Sequence, residues 1–131
     1  MPNRRSILSA LVAASTLAAA PFAYGAEHMA FTQQAFEAAQ KAGKPILIDV
    51  TAPWCPICKA QKPILAELTA QPKFKNLEIL EIDFDSQKDA LKALNVQKQS
   101  TLVIFKGGKE ADRSTGDTNA ASIGALLDKA I

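Results

Sequence analysis

Three short apolar segments between residues 46 and 105, followed by a glycine turn, predict the strands of a sheet. Residues 46–50 form an apolar run rich in β-branched side chains, which is typical of a buried strand. Residues 77–84 alternate apolar with acidic side chains near their end and predict a second strand. Residues 102–105 predict a third, and a Lys-Gly-Gly-Lys turn predicts a hairpin into a fourth near 110–114.

Helical signals flank these strands. Thr32 is the expected N-cap of a first helix, with Phe31 and Phe36 as the two halves of a hydrophobic staple. This helix should run to about Ala42 and stop at Gly43.

Three more helices follow. They are expected at residues 59–70, kinked by Pro63, from 86 or 87 to 94, and at 120–131. Residues 26–30 are interpreted as a short tail. Strands that alternate with helices and then end in a hairpin predict an α/β fold, with a central mixed sheet covered by helices on both faces.

The first 25 residues are predicted to be a signal peptide. Arg4 and Arg5 precede an almost uninterrupted apolar stretch at 7–20, which is shorter than the ~20 residues of a membrane anchor. Ala23 and Gly25 have the spacing of a cleavage site, so we expect cleavage after Gly25 rather than after residue 26. Residues 26–131 then form one domain.

Export predicts a periplasmic protein. The paired arginines faintly resemble a twin-arginine signal, but the usual aromatic residue is absent and the Sec route is favoured. Removal of the signal leaves 13 basic and 13 acidic residues, so nucleic acid is not an expected partner. In an oxidising compartment, a close pair of cysteines is oxidised unless something reduces it.

The only two cysteines stand in the motif Trp54-Cys55-Pro56-Ile57-Cys58, between the first strand and a helix. Cys55 at a helix N-terminus is favoured as a thiolate, and Cys58, one turn later, is within bonding reach. A purely structural disulfide closing so small a loop would restrain the unfolded chain very little. A structural zinc site would normally need four ligands, and the one histidine, His28, is distant in sequence. We therefore predict a disulfide that opens and closes, without another cofactor.

The order of elements around this motif resembles the thioredoxin family over residues 31–131. Asp49 stands six residues before Cys55 and Pro63 five after Cys58, as in that family. Further similarities lie in the segment 101–109, at Gly116, and in the segment 38–45 that leads into the first strand. The last of these is similar to exported thioredoxin-like domains and to the thioredoxin-like ends of bacterial membrane reductases.

The resemblance implies roles for three residues. Cys55 would be the exposed nucleophile and Cys58 the resolving cysteine. Asp49 matches the buried acid that handles the proton of the second cysteine. Because Asp49 follows an apolar trio on a strand, desolvation should raise its pKa.

Five further residues are expected to contact the substrate. Trp54, Pro56 and Ile57 belong to the motif itself. Gln99 and Ser100 occupy the segment that faces the cysteines in the family. Thioredoxins carry a cis-proline where this chain has Ser100, so the Gln99–Ser100 bond should be either strained or trans.

Glu81 marks a second departure, since it stands where thioredoxins carry a lysine partner of the buried acid. With Asp83 and Asp85 it is interpreted as a solvated strand edge; if Glu81 instead points toward Asp49, the like charges would raise both pKa values. No metal ligands are expected in the domain. A newly exposed Ala26-Glu27-His28 terminus would nevertheless be able to wrap Cu(II) or Ni(II).

The function expected from this reasoning is thiol–disulfide exchange, with reduction as the favoured direction. Partners would be protein thiols and disulfides, with a membrane-bound electron donor, and we expect a monomer. The alternative is a thioredoxin-fold binding module that holds a metal or a client protein through the Cys pair with little turnover.

Overall fold

The computed structural model describes residues 25–131. Within this range it contains a five-stranded sheet, four α-helices and one 3-10 turn. The elements, in chain order, are β1 (Glu27–Ala30), α1 (Gln33–Lys41), β2 (Ile46–Thr51), α2 (Pro56–Thr69), the 3-10 turn (Pro72–Phe74), β3 (Glu78–Asp83), α3 (Lys88–Ala93), β4 (Thr101–Lys106), β5 (Lys109–Thr115) and α4 (Ala120–Asp128). The predicted strands and helices are present, with boundaries shifted by a few residues.

The sheet has the strand order β1-β3-β2-β4-β5. β1 and β2 both run parallel to β3, whereas β4 runs antiparallel to β2 and β5 antiparallel to β4. This is the mixed sheet that the alternation of strands and helices predicted.

β2 occupies the centre of the sheet and has a core on each face. Ile46, Ile48 and Val50 belong to a cluster that includes Phe36 of α1 and residues of α3. Leu47 points to the other face and packs into a cluster with residues of α2 and α4. Because successive strand residues alternate between faces, Asp49 lies on the face of Leu47, under α2.

The start of α1 matches its sequence signals. The Thr32 side chain accepts a hydrogen bond from the Ala35 N–H at 3.0 Å. The rings of Phe31 and Phe36 lie 5.7 Å apart between centroids, which confirms the staple.

The β4–β5 turn also follows the prediction. Gly107 and Gly108 have φ angles of 59° and 80°. Two successive left-handed residues are what the tightest hairpin turns require, and glycine adopts that conformation at little cost.

The interpretation of residues 26–30 as a tail is wrong. Glu27–Ala30 form β1, which covers the outer edge of β3 in parallel register. The Glu27 N–H donates to the Leu77 carbonyl at 3.0 Å, so this amide is already engaged by the fold. The reason is tertiary, since β3 offers free backbone groups that a short, weakly strand-forming segment can satisfy.

The predicted signal peptide lies almost entirely outside the described residues. Across residues 25–131, each helix is too short or too polar to cross a bilayer.

Candidate active site

Cys55 and Cys58 form a disulfide at the amino end of α2, with their Cα atoms 5.3 Å apart. Cys55 is the N-cap residue, and its Sγ accepts a hydrogen bond from the Cys58 N–H at 3.1 Å. Pro56 occupies the first helical turn, where a missing N–H is tolerated. A backbone donor and the positive end of the helix dipole therefore both face the Cys55 sulfur, which favours a thiolate there after reduction.

The expectation that Cys55 is exposed is wrong for the disulfide form. Cys55 is 1 % and Cys58 3 % exposed, and both pack in a small cluster with Ala52 and Phe84. The two cysteines differ instead in their surroundings. The Cys58 Sγ lies 3.9 Å from the Val50 carbonyl oxygen of the central strand, on the inner side of the motif.

The residues around the disulfide form an exposed apolar rim. Trp54 is 56 % and Ile57 40 % exposed, and Pro56 between them is also exposed. The Trp54 ring is held in place, because its Nε1–H donates to Asp85 at 2.9 Å and its edge meets the Phe84 ring. An apolar surface fixed beside a disulfide suits contact with another protein chain.

Ser100 is brought to the same place by the loop before β4. Its N–H donates to the Val50 carbonyl at 2.8 Å, the same oxygen that the Cys58 sulfur approaches. The Gln99–Ser100 bond is trans, which was one of the two predicted possibilities. Ser100 has a φ of 58°. This left-handed conformation is strained for a serine. Its hydroxyl donates to the Gln99 carbonyl at 2.6 Å, and Gln99 itself is half-buried.

Asp49 lies on the α2 side of β2, one residue before Val50. It is 7 % exposed. The pKa of this carboxyl is raised from 3.8 to about 6, first by burial and then by the Glu81 carboxylate, while His28 and Lys62 oppose the rise. The expected rise in pKa is therefore present, with burial as its first cause.

The sequence alone did not place His28 and Lys62 beside Asp49, and it gave Glu81 as a neighbour only as the second of two options. Glu81 stands opposite Asp49 in the β2–β3 register, and the His28 Nε2 lies 3.2 Å from a Glu81 oxygen. Lys62 of α2 lines the same cavity.

The interpretation of Glu81 as part of a solvated strand edge is wrong, because β1 covers that edge of β3. The other option is confirmed for Asp49. Glu81 stands opposite Asp49, and its carboxylate raises the pKa of Asp49. The position of Lys62 could have indicated this placement, because Lys62 stands one turn after Cys58 on the helix face above β2. His28 gave no such signal, because its strand was not predicted.

This arrangement can perform dithiol–disulfide exchange. One sulfur has a backbone N–H donor and a helix N-terminus beside it. The other sulfur lies inward, within one turn of helix and next to the strand that carries a carboxyl with a pKa near neutrality.

Comparison with known proteins agrees with this geometry. The thioredoxin family model matches residues 27–129. The chain is 37 % identical over 84 residues to a thioredoxin of Chlamydia trachomatis, covering 64 % of this chain and 80 % of that protein. It is 32 % identical over 80 residues to the thioredoxin Asp f 29 of Aspergillus fumigatus, covering 61 % and 73 %.

Among solved structures, Trxlp from Edwardsiella tarda is 40 % identical with a TM-score of 0.76, over 77 % of this chain and 98 % of that chain. Since the family match spans nearly all of the described fold and includes both cysteines, the chain belongs to the thioredoxin family and is a thiol–disulfide oxidoreductase.

Proposed function

We propose that this protein is a periplasmic protein-disulfide reductase in which Cys55 attacks the substrate and Cys58 resolves the intermediate. The observation that carries the proposal is the hydrogen bond from the Cys58 N–H to the Cys55 Sγ at the N-terminus of α2. It stabilises negative charge on the first sulfur only, because the Cys58 sulfur faces the Val50 carbonyl instead.

The exchange proceeds in two displacements. The Cys55 thiolate attacks one sulfur of a substrate disulfide, forms a mixed disulfide and releases the other substrate sulfur as a thiolate. Cys58 then loses its proton, with Asp49 as the acceptor, and attacks the Cys55 sulfur. This step forms the 55–58 disulfide, releases the second substrate thiolate, and leaves the substrate reduced by two electrons.

The exposed rim of Trp54, Pro56 and Ile57 would contact the substrate chain, together with Gln99 and Ser100 beside the disulfide. Their placement around Cys55 supports this role. Because both sulfurs are buried in the disulfide form, the attacking sulfur must become accessible after reduction.

Trapping of mixed disulfides tests the two cysteine roles. We expect Cys58→Ser to accumulate mixed disulfides through Cys55, because attack is retained and resolution is lost. Cys55→Ser is the matched control and should trap few. Equal trapping by the two variants would contradict the assignment.

Asp49→Asn tests the proton acceptor. The variant should fold but should exchange disulfides more slowly near neutral pH, since the carboxyl with a pKa of about 6 is gone. Stopped-flow measurement of reduction rates between about pH 6 and pH 8 would check this. Rates equal to those of the wild type across the range would leave Asp49 without a role in exchange.

The periplasmic location and the direction of electron flow are supported by the sequence. Residues 1–25 have signal-peptide features, and the approach to β2 through Lys44 and Pro45 is similar to that of electron-delivering domains. Cell fractionation with mass measurement of the mature chain should find a periplasmic protein that begins at Ala26. The equilibrium potential of the 55–58 pair against glutathione should be reducing, as for a domain fed by a membrane-bound donor.

One observation favours a second function, the capture of a metal or client protein by the reduced cysteines with little turnover. Both sulfurs are buried, and a strained Ser100 replaces the family's proline beside them. Insulin reduction with dithiothreitol separates the two functions: catalysis above the dithiothreitol background supports the reductase, and its absence supports the binding module.

A further inference from the structure

A cavity of about 390 Å³ opens between β1, β3 and β2 on one side and α2 on the other. His28, Asp49 and Glu81 line it from three adjacent strands, and Lys62, Leu65 and Thr69 line it from α2. The cavity shares Asp49, the proposed proton acceptor of Cys58, with the redox site, but neither cysteine lines it.

The three strand residues converge because of register. Asp49 and Glu81 are direct neighbours across the β2–β3 pair, and the His28 strand lies on the outer side of β3. One ligand-type atom from each of the three side chains lies within 4.8 Å of the other two. The His28 Nε2 lies 3.2 Å from a Glu81 oxygen.

Asp49 supplies the second observation. Its side chain is 7 % exposed and lines the cavity, but within residues 25–131 it accepts no hydrogen bond. A buried carboxylate is normally paired or coordinated. The positive side chains that line the cavity are His28, which already pairs with Glu81, and Lys62, which is exposed on α2.

We propose that His28, Asp49 and Glu81 bind a divalent transition-metal ion, with Zn²⁺ as the best match. Zinc binds nitrogen and oxygen ligands at about 2.0–2.2 Å in a tetrahedron, which places the ligand atoms roughly 3.3–3.5 Å apart. Donor atoms that now lie within 4.8 Å of one another would have to approach by at most about 1.5 Å. Two carboxylates and a neutral imidazole balance the charge of the ion.

The donor set also selects against other common cations. Ca²⁺ takes six to eight oxygen ligands, and Mg²⁺ keeps several waters on an oxygen-only site. One imidazole nitrogen with two carboxylates suits zinc and its first-row neighbours. The open side of the cavity, where the His28 side chain is 56 % exposed, admits the ion and leaves room for a water as fourth ligand.

This site is distinct from the Cu(II) or Ni(II) chelate that a free Ala26-Glu27-His28 terminus could form. That chelate needs the amide nitrogen of Glu27, which here donates to the Leu77 carbonyl. It does not need Glu81. The Glu81→Gln variant therefore separates the two modes of binding.

Zinc titration of the oxidised protein beginning at Ala26, the predicted mature terminus, tests the proposal, because both modes of binding are open to it. Keeping the 55–58 disulfide intact removes the thiolates, which would otherwise bind zinc, and makes the result independent of turnover and of the proposed reductase function. Affinity is measured by competition with a chromophoric chelator, after EDTA treatment and desalting. Co²⁺ absorption in the visible range reports the coordination geometry.

The wild type should bind one Zn²⁺ per chain and show a tetrahedral Co²⁺ spectrum. His28→Gln and Glu81→Gln should each weaken binding at least about tenfold. Glu27→Gln, which removes the same charge from an exposed position on β1, should leave the affinity unchanged. Lys62→Gln should tighten binding, because it removes a competing positive charge from the cavity.

Three results would overturn the proposal. The first is no stoichiometric zinc binding by the wild type. The second is a Glu81→Gln variant that binds as tightly as the wild type, which would indicate the amino-terminal chelate if His28→Gln still weakens binding. The third is equal weakening by Glu27→Gln and Glu81→Gln.

Circular dichroism checks that each variant is folded. The His28→Gln variant is expected to fold, because His28 lies on an edge strand and is largely exposed.

Discussion

Replacing Asp49 by asparagine should make the oxidised protein more stable at neutral pH and should have little effect in acid. Asp49 is buried on the central strand, and burial is the first cause of its raised pKa. Asparagine has nearly the same shape but carries no charge. The substitution therefore removes the free-energy cost of a buried carboxylate without leaving a void.

The magnitude follows from the pKa values in the two states. The carboxyl titrates near 3.8 when unfolded and near 6 when folded. Between these values the folded protein keeps a proton that the unfolded chain has lost, so wild-type stability falls as pH rises from about 4 to about 6, and this effect is constant above that range. A shift of roughly two pKa units corresponds to about 3 kcal/mol.

Urea denaturation of the oxidised wild type and of Asp49→Asn, followed at several pH values, measures this directly. EDTA in every sample excludes bound cations. The stability difference in favour of the variant should grow by about 2.5 kcal/mol between pH 4 and pH 7, since the unfolded carboxyl is already partly ionised at pH 4. Asp89→Asn is the matched control, since Asp89 is exposed in the first turn of α3 and its removal should change stability by less than about 1 kcal/mol.

A difference that does not vary with pH would refute the reasoning, because an uncharged packing effect has no pH dependence. A gain that is largest in acid would reverse the sign of the argument. It would mean that the folded state stabilises the Asp49 carboxylate, through a partner stronger than the burial that opposes it.

Two other substitutions test local backbone conformation, each by urea denaturation. Ser100→Gly should change stability by no more than about 1 kcal/mol, because relief of the left-handed φ offsets the extra freedom of glycine in the unfolded chain. Ser100→Pro should cost at least about 2 kcal/mol, since proline cannot adopt that φ and removes the N–H that donates to Val50; a stable proline variant would show that the loop rearranges easily. Thr32→Ala should cost about 1 kcal/mol by removing the cap of α1, with Thr32→Ser as a control that should retain most of it.

Much of the site could be predicted from the sequence because its causes are local. A β-branched strand, two cysteines one helical turn apart and a proline at the first helical position fix where the sulfurs lie relative to the helix N-terminus. The burial of Asp49 also followed from its place in an apolar strand. The cap and staple of α1 were readable for the same reason, since each depends on residues within one turn.

The burial of the sulfurs and the conformation of Ser100 could not be predicted from local sequence patterns. Cys55 is covered because Phe84, after β3, packs against the cluster around the motif. Ser100 adopts its left-handed conformation where its N–H reaches the Val50 carbonyl, 50 residues earlier in the chain. Both depend on contacts between segments distant in sequence, which local patterns do not encode.

The group of His28, Asp49 and Glu81 was decided only by tertiary structure. Glu81 faces Asp49 because two parallel strands share one register, and a shift by one residue would turn either side chain to the other face. Residues 27–30 contain no β-branched side chain, so the sequence alone predicted a tail there. They form a strand because the edge of β3 supplies hydrogen-bond partners, and that edge exists only once the sheet has folded.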